Sequence, residues 1–178
     1  HLRIDANPRR LEPWLEMLER LDNPTNTVSI GIVGKYVDYE DSYKSLKESL
    51  LHGGLQHKLK VQVEWVEAEQ ITPAEAHQKL SMLDGILVPG GFGNRGIDGM
   101  LEAIRYAREN NIPYFGICLG MQTMVIEFVR NVCGIADAHS TEFEPAAKNR
   151  VFFKLRELKG VEDLGGTMRL GSWPCVLK

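Results

Sequence analysis

The segment Gly116-Ile-Cys118-Leu-Gly120 has the residue types and the spacing of a nucleophile elbow. The pattern is Gly-x-Ser-x-Gly with cysteine in place of serine, in which a strained turn between a strand and a helix exposes the nucleophile. The two glycines keep side chains out of the tight turn. The following helix begins with N–H groups that lack intrahelical partners and with a positive dipole end, which favours a thiolate. The pattern predicts nucleophilic catalysis by Cys118, and a buried core cysteine at a strand end is the alternative.

A second glycine-rich segment, Pro89-Gly90-Gly91-Phe92-Gly93, could supply the electrostatic half of such a site. Acyl transfer needs backbone N–H groups directed at the oxyanion of a tetrahedral intermediate. Adjacent glycines let the backbone approach closely, because no Cβ atom obstructs it. We therefore expect the N–H groups of Gly91 and Leu119 to form an oxyanion hole. A plain surface turn is the alternative for this segment.

Apolar runs and amphipathic segments alternate along the chain, which predicts the elements that position these turns. Four runs are predicted as strands and four segments as helices: strands over 28–34, 60–66, 85–88 and 113–117, and helices over 42–54, 72–80, 97–110 and 118–130. This order predicts an α/β fold with a doubly wound, mostly parallel sheet and helices on both faces. Both glycine-rich turns then lie at the carboxyl edge of the sheet, where such folds bind substrates.

Residues 1–26 are predicted as an N-terminal helix and an interdomain linker. Apolar residues recur at helical spacing from Asn7 to Leu21, and the polar run 22–26 follows them. Residues 27–178 form the domain that carries the two turns. Beyond Gly134 the periodicity fades, and a strand-like piece over 151–155 and a turn at Gly165-Gly166 are the features that remain. The chain starts without methionine, so we expect it to be a piece of a longer one.

Composition excludes several classes of protein. The chain of 178 residues has 43% hydrophobic and 25% charged residues, which is ordinary for a globular domain. Its net charge of −3 argues against nucleic acid as a partner. No apolar run approaches the length of a membrane span. The three cysteines form no Cys-x-x-Cys pair, and the histidines form no cluster typical of a metal site, so we expect a cytoplasmic protein without metal.

Further motifs in this order resemble the glutaminase domain of the CTP synthases, a family within the class I glutamine amidotransferases. The resemblance covers nearly all of the chain after the linker. It rests on seven segments: Gly34-Lys-Tyr36-Val, Asp41-Ser-Tyr43-Lys-Ser, 87–93, 107–113, 116–122, Ser140-Thr-Glu142-Phe and Gly165-Gly-Thr-Met-Arg-Leu-Gly171. The last two are the most particular to that family. The resemblance implies the flavodoxin-like class I amidotransferase fold.

The resemblance also implies an activity and the residues that perform it. Cys118 would attack the side-chain carboxamide of L-glutamine, release ammonia and leave a γ-glutamyl thioester for water to cleave. Gly91 and Leu119 match the oxyanion and substrate contacts of the family, and Gln122 and Glu142 match residues that hold the glutamine. A carboxylate at position 142 suits the α-ammonium group of the substrate. No cofactor is implied in this domain.

In the family, the ammonia passes to a separate synthetase domain, which aminates UTP to CTP with ATP and Mg²⁺. The full-length enzyme is expected to be a homo-oligomer. In these enzymes a histidine of a His-Pro-Glu motif near the C-terminus of the domain activates the cysteine. None of the five histidines here stands in His-x-Glu, and His139 is interpreted as a loop residue and not as a substitute base. We therefore expect the domain to lack its C-terminal part. A truncated, non-catalytic interaction module and a γ-glutamyl hydrolase are the alternatives.

Overall fold

The computed structural model describes residues 10–37 and 40–153, and within them a parallel sheet is the central element. Its four strands are β1 (Asn26–Gly34), β2 (Leu59–Glu67), β3 (Gly85–Val88) and β4 (Tyr114–Gly116), in the order β2-β1-β3-β4. β1 pairs with β2 along its whole length, from Asn26 opposite Leu59 to Gly34 opposite Glu67. The predicted strands are confirmed at nearly the predicted bounds.

Four helices follow the strands and cover both faces of this sheet: α2 (Lys44–Gln56), α3 (Ala76–Leu80), α4 (Ile97–Glu109) and α5 (Leu119–Asn131). A further helix, α1 (Glu12–Asp22), precedes β1, packs against α2 and has no buried residue. Short 3₁₀ turns span Glu40–Tyr43 and Ala68–Gln70, and two further strands, β5 (Ala138–Ser140) and β6 (Asn149–Phe152), form a separate parallel pair. No helix among the described residues is long and apolar enough to cross a membrane.

The hydrophobic core lies between the sheet and helices α3, α4 and α5. Val33, Ile86 and Val88 of the strands pack there with Met100 of α4 and Ile126 of α5, all of them almost fully buried. On the opposite face, Tyr43 stacks on Trp65 of β2 with ring centroids 5.9 Å apart. α2 packs against β2 on that face, because Gly54 leaves room for Val61: a Cβ at Gly54 would lie 2.7 Å from a methyl carbon of Val61. β3 and the end of β1, at the centre of the sheet, are buried on both faces, which fixes the strand that leads into the turn after β3.

Three of the predicted helices have boundaries that differ from those in the structure. The first helix begins at Glu12, after residues 10 and 11, so Pro13 lies in its first turn, where proline is tolerated; the predicted start at Asn7 lies outside the described residues. The second begins at Lys44 without a side-chain cap from Ser42 and continues through Gly54 to Gln56. The third begins at Ala76, after a turn in which Thr72 Oγ1 donates to Glu75 Oε2 at 2.9 Å.

The predicted linker and the predicted C-terminal strand both differ in their bounds from the structure. The predicted linker 22–26 overlaps the end of α1 and the start of β1, so residues 23–25 connect the two elements. The predicted strand over 151–155 corresponds to β6, which begins earlier, at Asn149. The Gly165-Gly166 turn, the segment 165–171 and Cys175 lie outside the described residues.

Candidate active site

Cys118 lies between the end of β4 at Gly116 and the start of α5 at Leu119. Its backbone has φ 53° and ψ −103°, a conformation that residues with a side chain rarely adopt. Such a residue stores about 1–3 kcal/mol of strain and persists because its surroundings hold it. Its side chain is exposed and not in a disulfide. The structure therefore has the strained, exposed turn that the glycine spacing predicts.

Close backbone packing holds this turn in place. A Cβ at Gly116 would lie 2.5 Å from the carbonyl carbon of Gly120, and a Cβ at Gly120 would lie 2.1 Å from the carbonyl oxygen of Val88. Both distances are far too short for any side chain, so the two glycines are required by space. The N–H of Ile117 donates to the same Val88 carbonyl at 2.9 Å, and the hydroxyl of Tyr114 donates to the Gly120 carbonyl at 2.8 Å.

The turn after β3 lies directly against the elbow. A Cβ at Gly90 would lie 3.5 Å from Cβ of Cys118, and a Cβ at Gly91 would lie 3.2 Å from Cδ2 of Leu119. This contact follows from the strand order, since β3 and β4 are neighbours and pair in parallel. The structure thus brings Gly91, Cys118 and Leu119 together. Leu119 is the first residue of α5, where backbone N–H groups have no partner within the helix.

Glu142 reaches the same turn from the segment after β5. Its Oε1 accepts a hydrogen bond from the N–H of Gly93 at 2.9 Å, and its own N–H donates to Oγ of Ser140 at 3.2 Å. Gln122 lies on α5 one turn after Cys118, is half-buried, and donates its backbone N–H to the Cys118 carbonyl at 3.1 Å. Of the two residues expected to hold glutamine, Glu142 is therefore joined to the turn after β3, and Gln122 to the elbow.

Lys35 is a site residue that the sequence analysis missed. It follows the end of β1 and is only 3% exposed, and its Nζ donates to the carbonyls of Phe92 at 3.0 Å and Gly93 at 2.6 Å. Burial lowers the pKa of Lys35 to about 8, and the nearby Glu142 carboxylate opposes this shift. The available signal was a lysine directly after a buried strand, at the edge where substrates bind.

His139 is not the loop residue that we expected, because it lies in β5. Its Nδ1 accepts the N–H of Ser140 at 3.0 Å, and its ring packs edge-on against Phe143. Burial lowers the pKa of His139, and the neighbouring Arg130 lowers it further. A strand residue whose ring nitrogen already accepts a backbone N–H is held as a structural part of the β5 segment.

The residues described contain no group of three or more His, Cys, Asp or Glu side chains that could hold a metal ion. Cys133, the other described cysteine, is also exposed and not in a disulfide, and it lies beyond the end of α5 without a glycine two residues before or after it. It lacks both the strained backbone and the neighbouring turn that distinguish Cys118.

Comparison with known proteins shows which family has this sequence. The family model of glutamine amidotransferase class-I matches residues 39–177, which include the turn after β3, the elbow and Glu142. The chain belongs to this family. The resemblance inferred from the motifs is therefore confirmed, and so is the fold class.

Relatives narrow the relationship to CTP synthases. The CTP synthase of Acidobacterium capsulatum is 62% identical over 178 residues, and that of Koribacter versatilis is 60% identical over 180 residues. Each alignment covers the whole of this chain and 32% of the relative, so the chain spans about a third of the length of these proteins.

One solved structure is similar to this chain. The glutaminase domain of the Trypanosoma brucei CTPS, with bound acivicin, matches with a TM-score of 0.68 and 42% sequence identity. The match covers 73% of this chain and 51% of that one. By homology, the chain corresponds to the glutaminase domain of CTP synthases.

Proposed function

We propose that this domain hydrolyses L-glutamine to glutamate and ammonia, with Cys118 as the nucleophile. The observation that carries the proposal is the position of Cys118, strained and exposed at the start of α5 with Gly90 and Gly91 against it. A nucleophile next to a glycine turn and a helix N-terminus is the arrangement that acyl transfer needs.

The proposed reaction has two stages. The sulfur of Cys118 bonds to the side-chain carbonyl carbon of glutamine, and the N–H groups of Gly91 and Leu119 stabilise the resulting oxyanion. The carbon–nitrogen bond then breaks, the nitrogen leaves as ammonia with the proton it gains, and a γ-glutamyl thioester remains. Water cleaves the thioester and restores the thiol. The resemblance assigns the base to a histidine of a His-Pro-Glu motif, which the 178 residues do not contain.

Glu142 and Gln122 are proposed to hold the substrate. One oxygen of Glu142 already accepts the N–H of Gly93, and the second can pair with the α-ammonium group of glutamine. Glu142 would then link the substrate to the turn that supplies Gly91. Gln122 would contact the glutamine from α5, one turn beyond the nucleophile.

In the whole protein, we propose that the ammonia passes to a synthetase domain that aminates UTP to CTP with ATP and Mg²⁺. The support is the identity to CTP synthases about three times as long as this chain. The whole protein is proposed to be a cytoplasmic homo-oligomer that binds no nucleic acid or membrane. No cofactor is proposed for this domain.

Ammonia release from glutamine by the full natural polypeptide tests this function. We expect Cys118→Ser to abolish the release, whereas Cys133→Ser, at the other exposed cysteine of the described residues, leaves it at the wild-type rate. Acivicin, the ligand of the similar Trypanosoma domain, is expected to block the release by the wild-type protein. Unchanged release by the Cys118→Ser protein would refute the proposal. Faster hydrolysis of poly-γ-glutamyl peptides than of glutamine would instead indicate a γ-glutamyl hydrolase.

A further inference from the structure

Lys35 crosses from one strand end to the turn after the neighbouring strand. β1 ends at Gly34, so Lys35 stands at the carboxyl edge of the sheet, beside the end of β3. A Cβ at Gly91 would lie 3.8 Å from both Cδ and Cε of Lys35 and 3.2 Å from Leu119. Gly91 is therefore enclosed between the stem of this lysine and the first residue of α5.

The peptide unit between Phe92 and Gly93 is held at both of its polar ends. Its carbonyl oxygen accepts a hydrogen bond from Nζ of Lys35 at 3.0 Å, and its N–H donates to Oε1 of Glu142 at 2.9 Å. Nζ also donates to the next carbonyl, that of Gly93, at 2.6 Å. Rotation of this peptide unit would break charged hydrogen bonds at both ends, which are stronger than neutral ones. Gly91 is separated from this unit by the Gly91–Phe92 peptide, so the contacts restrain the backbone that follows Gly91.

The backbone of Lys35 is itself fixed. Its N–H donates to the hydroxyl of the buried Tyr43 at 3.3 Å, and its carbonyl accepts from the guanidinium of Arg95. Arg95 lies over the ring of Tyr36, 5.2 Å from its centroid, and pairs with Glu69 at 3.4 Å. Lys35 therefore binds the carbonyls of the turn, and Arg95, two residues after the turn, binds the carbonyl of Lys35. The end of β1 and the segment after β3 thus hold each other in place.

Stability does not explain a lysine at this position. Taking an ammonium group out of water is costly, and an apolar side chain of similar volume at a buried site is often as stabilising as a charged one or more so. The buried ammonium has one geometric result that an apolar side chain could not give, which is the orientation of the two peptide units that flank Gly93, two residues after Gly91.

We propose that Lys35 is a positioning residue for glutamine hydrolysis: with Glu142, it locks the Phe92–Gly93 peptide so that the N–H of Gly91 is directed at the oxyanion. This inference rests on the proposed function and deepens it. Lys35 touches neither the nucleophile nor the substrate in this account. Its effect should appear in kcat, because the oxyanion is absent from the bound substrate and develops in the transition state that leads to the tetrahedral intermediate.

The test compares Lys35→Met with Lys79→Met in the full natural polypeptide. Methionine keeps the length of the side chain and removes its donors. Lys79 is a matched control, because its Nζ also donates to a backbone carbonyl, that of Gln70, at 2.6 Å. This hydrogen bond is exposed and involves no residue of the turn. We expect Lys35→Met to lower kcat for glutamine hydrolysis at least about tenfold with little change in KM, and Lys79→Met to change neither.

Amide hydrogen exchange gives a second readout that does not need activity. Lys35→Met should raise the exchange rate of the Gly93 amide about tenfold or more, since the peptide unit can then leave Glu142. If the wild-type protein releases no ammonia, the proposed function fails, and exchange alone decides whether the lock exists. Wild-type exchange at Gly93, wild-type kcat, or a loss confined to KM would each overturn the proposal. Should Lys35→Met fail to fold, Lys35→Gln, which keeps one donor, is expected to give intermediate kcat and exchange, and wild-type values for it would overturn the lock.

Discussion

The two glycine-rich turns at the edge of the sheet are held by different means. The elbow after β4 is fixed by backbone packed on backbone: Gly116 against Gly120, and Gly120 against Val88 of the adjacent strand. The turn after β3 is fixed by side chains from distant parts of the sequence. Lys35 lies 57 and 58 residues from the carbonyls it binds, and Glu142 lies 49 residues from the N–H it accepts.

The two halves of the site therefore depend on the rest of the fold in different ways. A turn held by its own glycines forms wherever β3 and β4 pair, so it should be sensitive to any added atom. A turn held by a lysine and a glutamate tolerates small changes in shape, and it should be sensitive to changes in charge. Substitutions in the elbow should therefore cost stability, and those around the other turn should cost catalysis.

The largest effect is expected for Gly120→Ala. The added Cβ would meet the Val88 carbonyl oxygen at 2.1 Å, so the strand or the helix must shift. We expect the free energy of unfolding of this chain to fall by about 3 kcal/mol, measured by urea unfolding.

Gly53→Ala is the control for this change. Gly53 lies inside α2 with nothing within 4 Å of an added Cβ, so alanine there should raise stability by about 0.5–1 kcal/mol. Equal effects of the two substitutions would mean that the elbow is not held by close packing.

The elbow could be predicted from the sequence because its cause is local. The glycines two residues before and two residues after Cys118 indicate directly that the turn has no room for side chains. The preceding strand and the following helix are visible as hydrophobic patterns. Lys35 could not be found in this way. Its role depends on the pairing of β1 with β3, which brings position 35 beside position 92, and a single sequence does not show that pairing.

The free energy of unfolding should depend on pH through Lys35, whose charge holds the turn after β3. Lys35 has a pKa of about 8 when folded and of 10.5 when unfolded, so between these values the unfolded chain binds a proton that the folded chain does not. Stability contributed by this site therefore rises as the pH increases from 8 towards 10.5. The charged groups that face the ammonium are Glu142, Arg95 and Glu69.

The measurement is urea unfolding of the wild-type and Lys35→Met chains at about pH 7 and about pH 9.5. The wild-type chain should gain stability relative to the variant at the higher pH. A difference between the two chains that stays constant with pH would show that the ammonium is not held in a costly environment.

The smallest effect is expected for Tyr114→Phe. This change removes the hydroxyl that donates to the Gly120 carbonyl at 2.8 Å, while Thr123 Oγ1 still donates to the same oxygen at 3.0 Å. Burial raises the pKa of Tyr114, so its hydroxyl stays protonated as a donor. We expect a loss of about 1 kcal/mol of unfolding free energy in urea.

Tyr106→Phe serves as the matched control, because the hydroxyl of Tyr106 makes an exposed hydrogen bond to His77 at 3.1 Å. Its loss should change stability by less than about 0.5 kcal/mol. If the two tyrosine variants are equally stable, the Tyr114 hydroxyl does not support the elbow.

The fold itself was largely predictable, and its errors have physical causes. β3 and the end of β1 are apolar runs buried on both faces, and β2 alternates partly buried and exposed residues; both patterns are visible in the sequence. Gly53-Gly54 was interpreted as a helix end, yet Gly54 serves close packing against β2 inside the helix. His139 lies in a strand that pairs with β6, a contact between segments of weak periodicity. In each case a tertiary contact outweighed the local signal.

The central claim is that Cys118 is the nucleophile, and covalent labelling tests it most directly. The full natural polypeptide is treated with a diazo-ketone analogue of glutamine, and the modified peptide is identified by mass spectrometry. The account predicts a single adduct on Cys118, prevented by excess glutamine, with Cys133 unmodified although it is also exposed. An unmodified Cys118, or equal labelling of Cys118 and Cys133 that glutamine does not prevent, would contradict it.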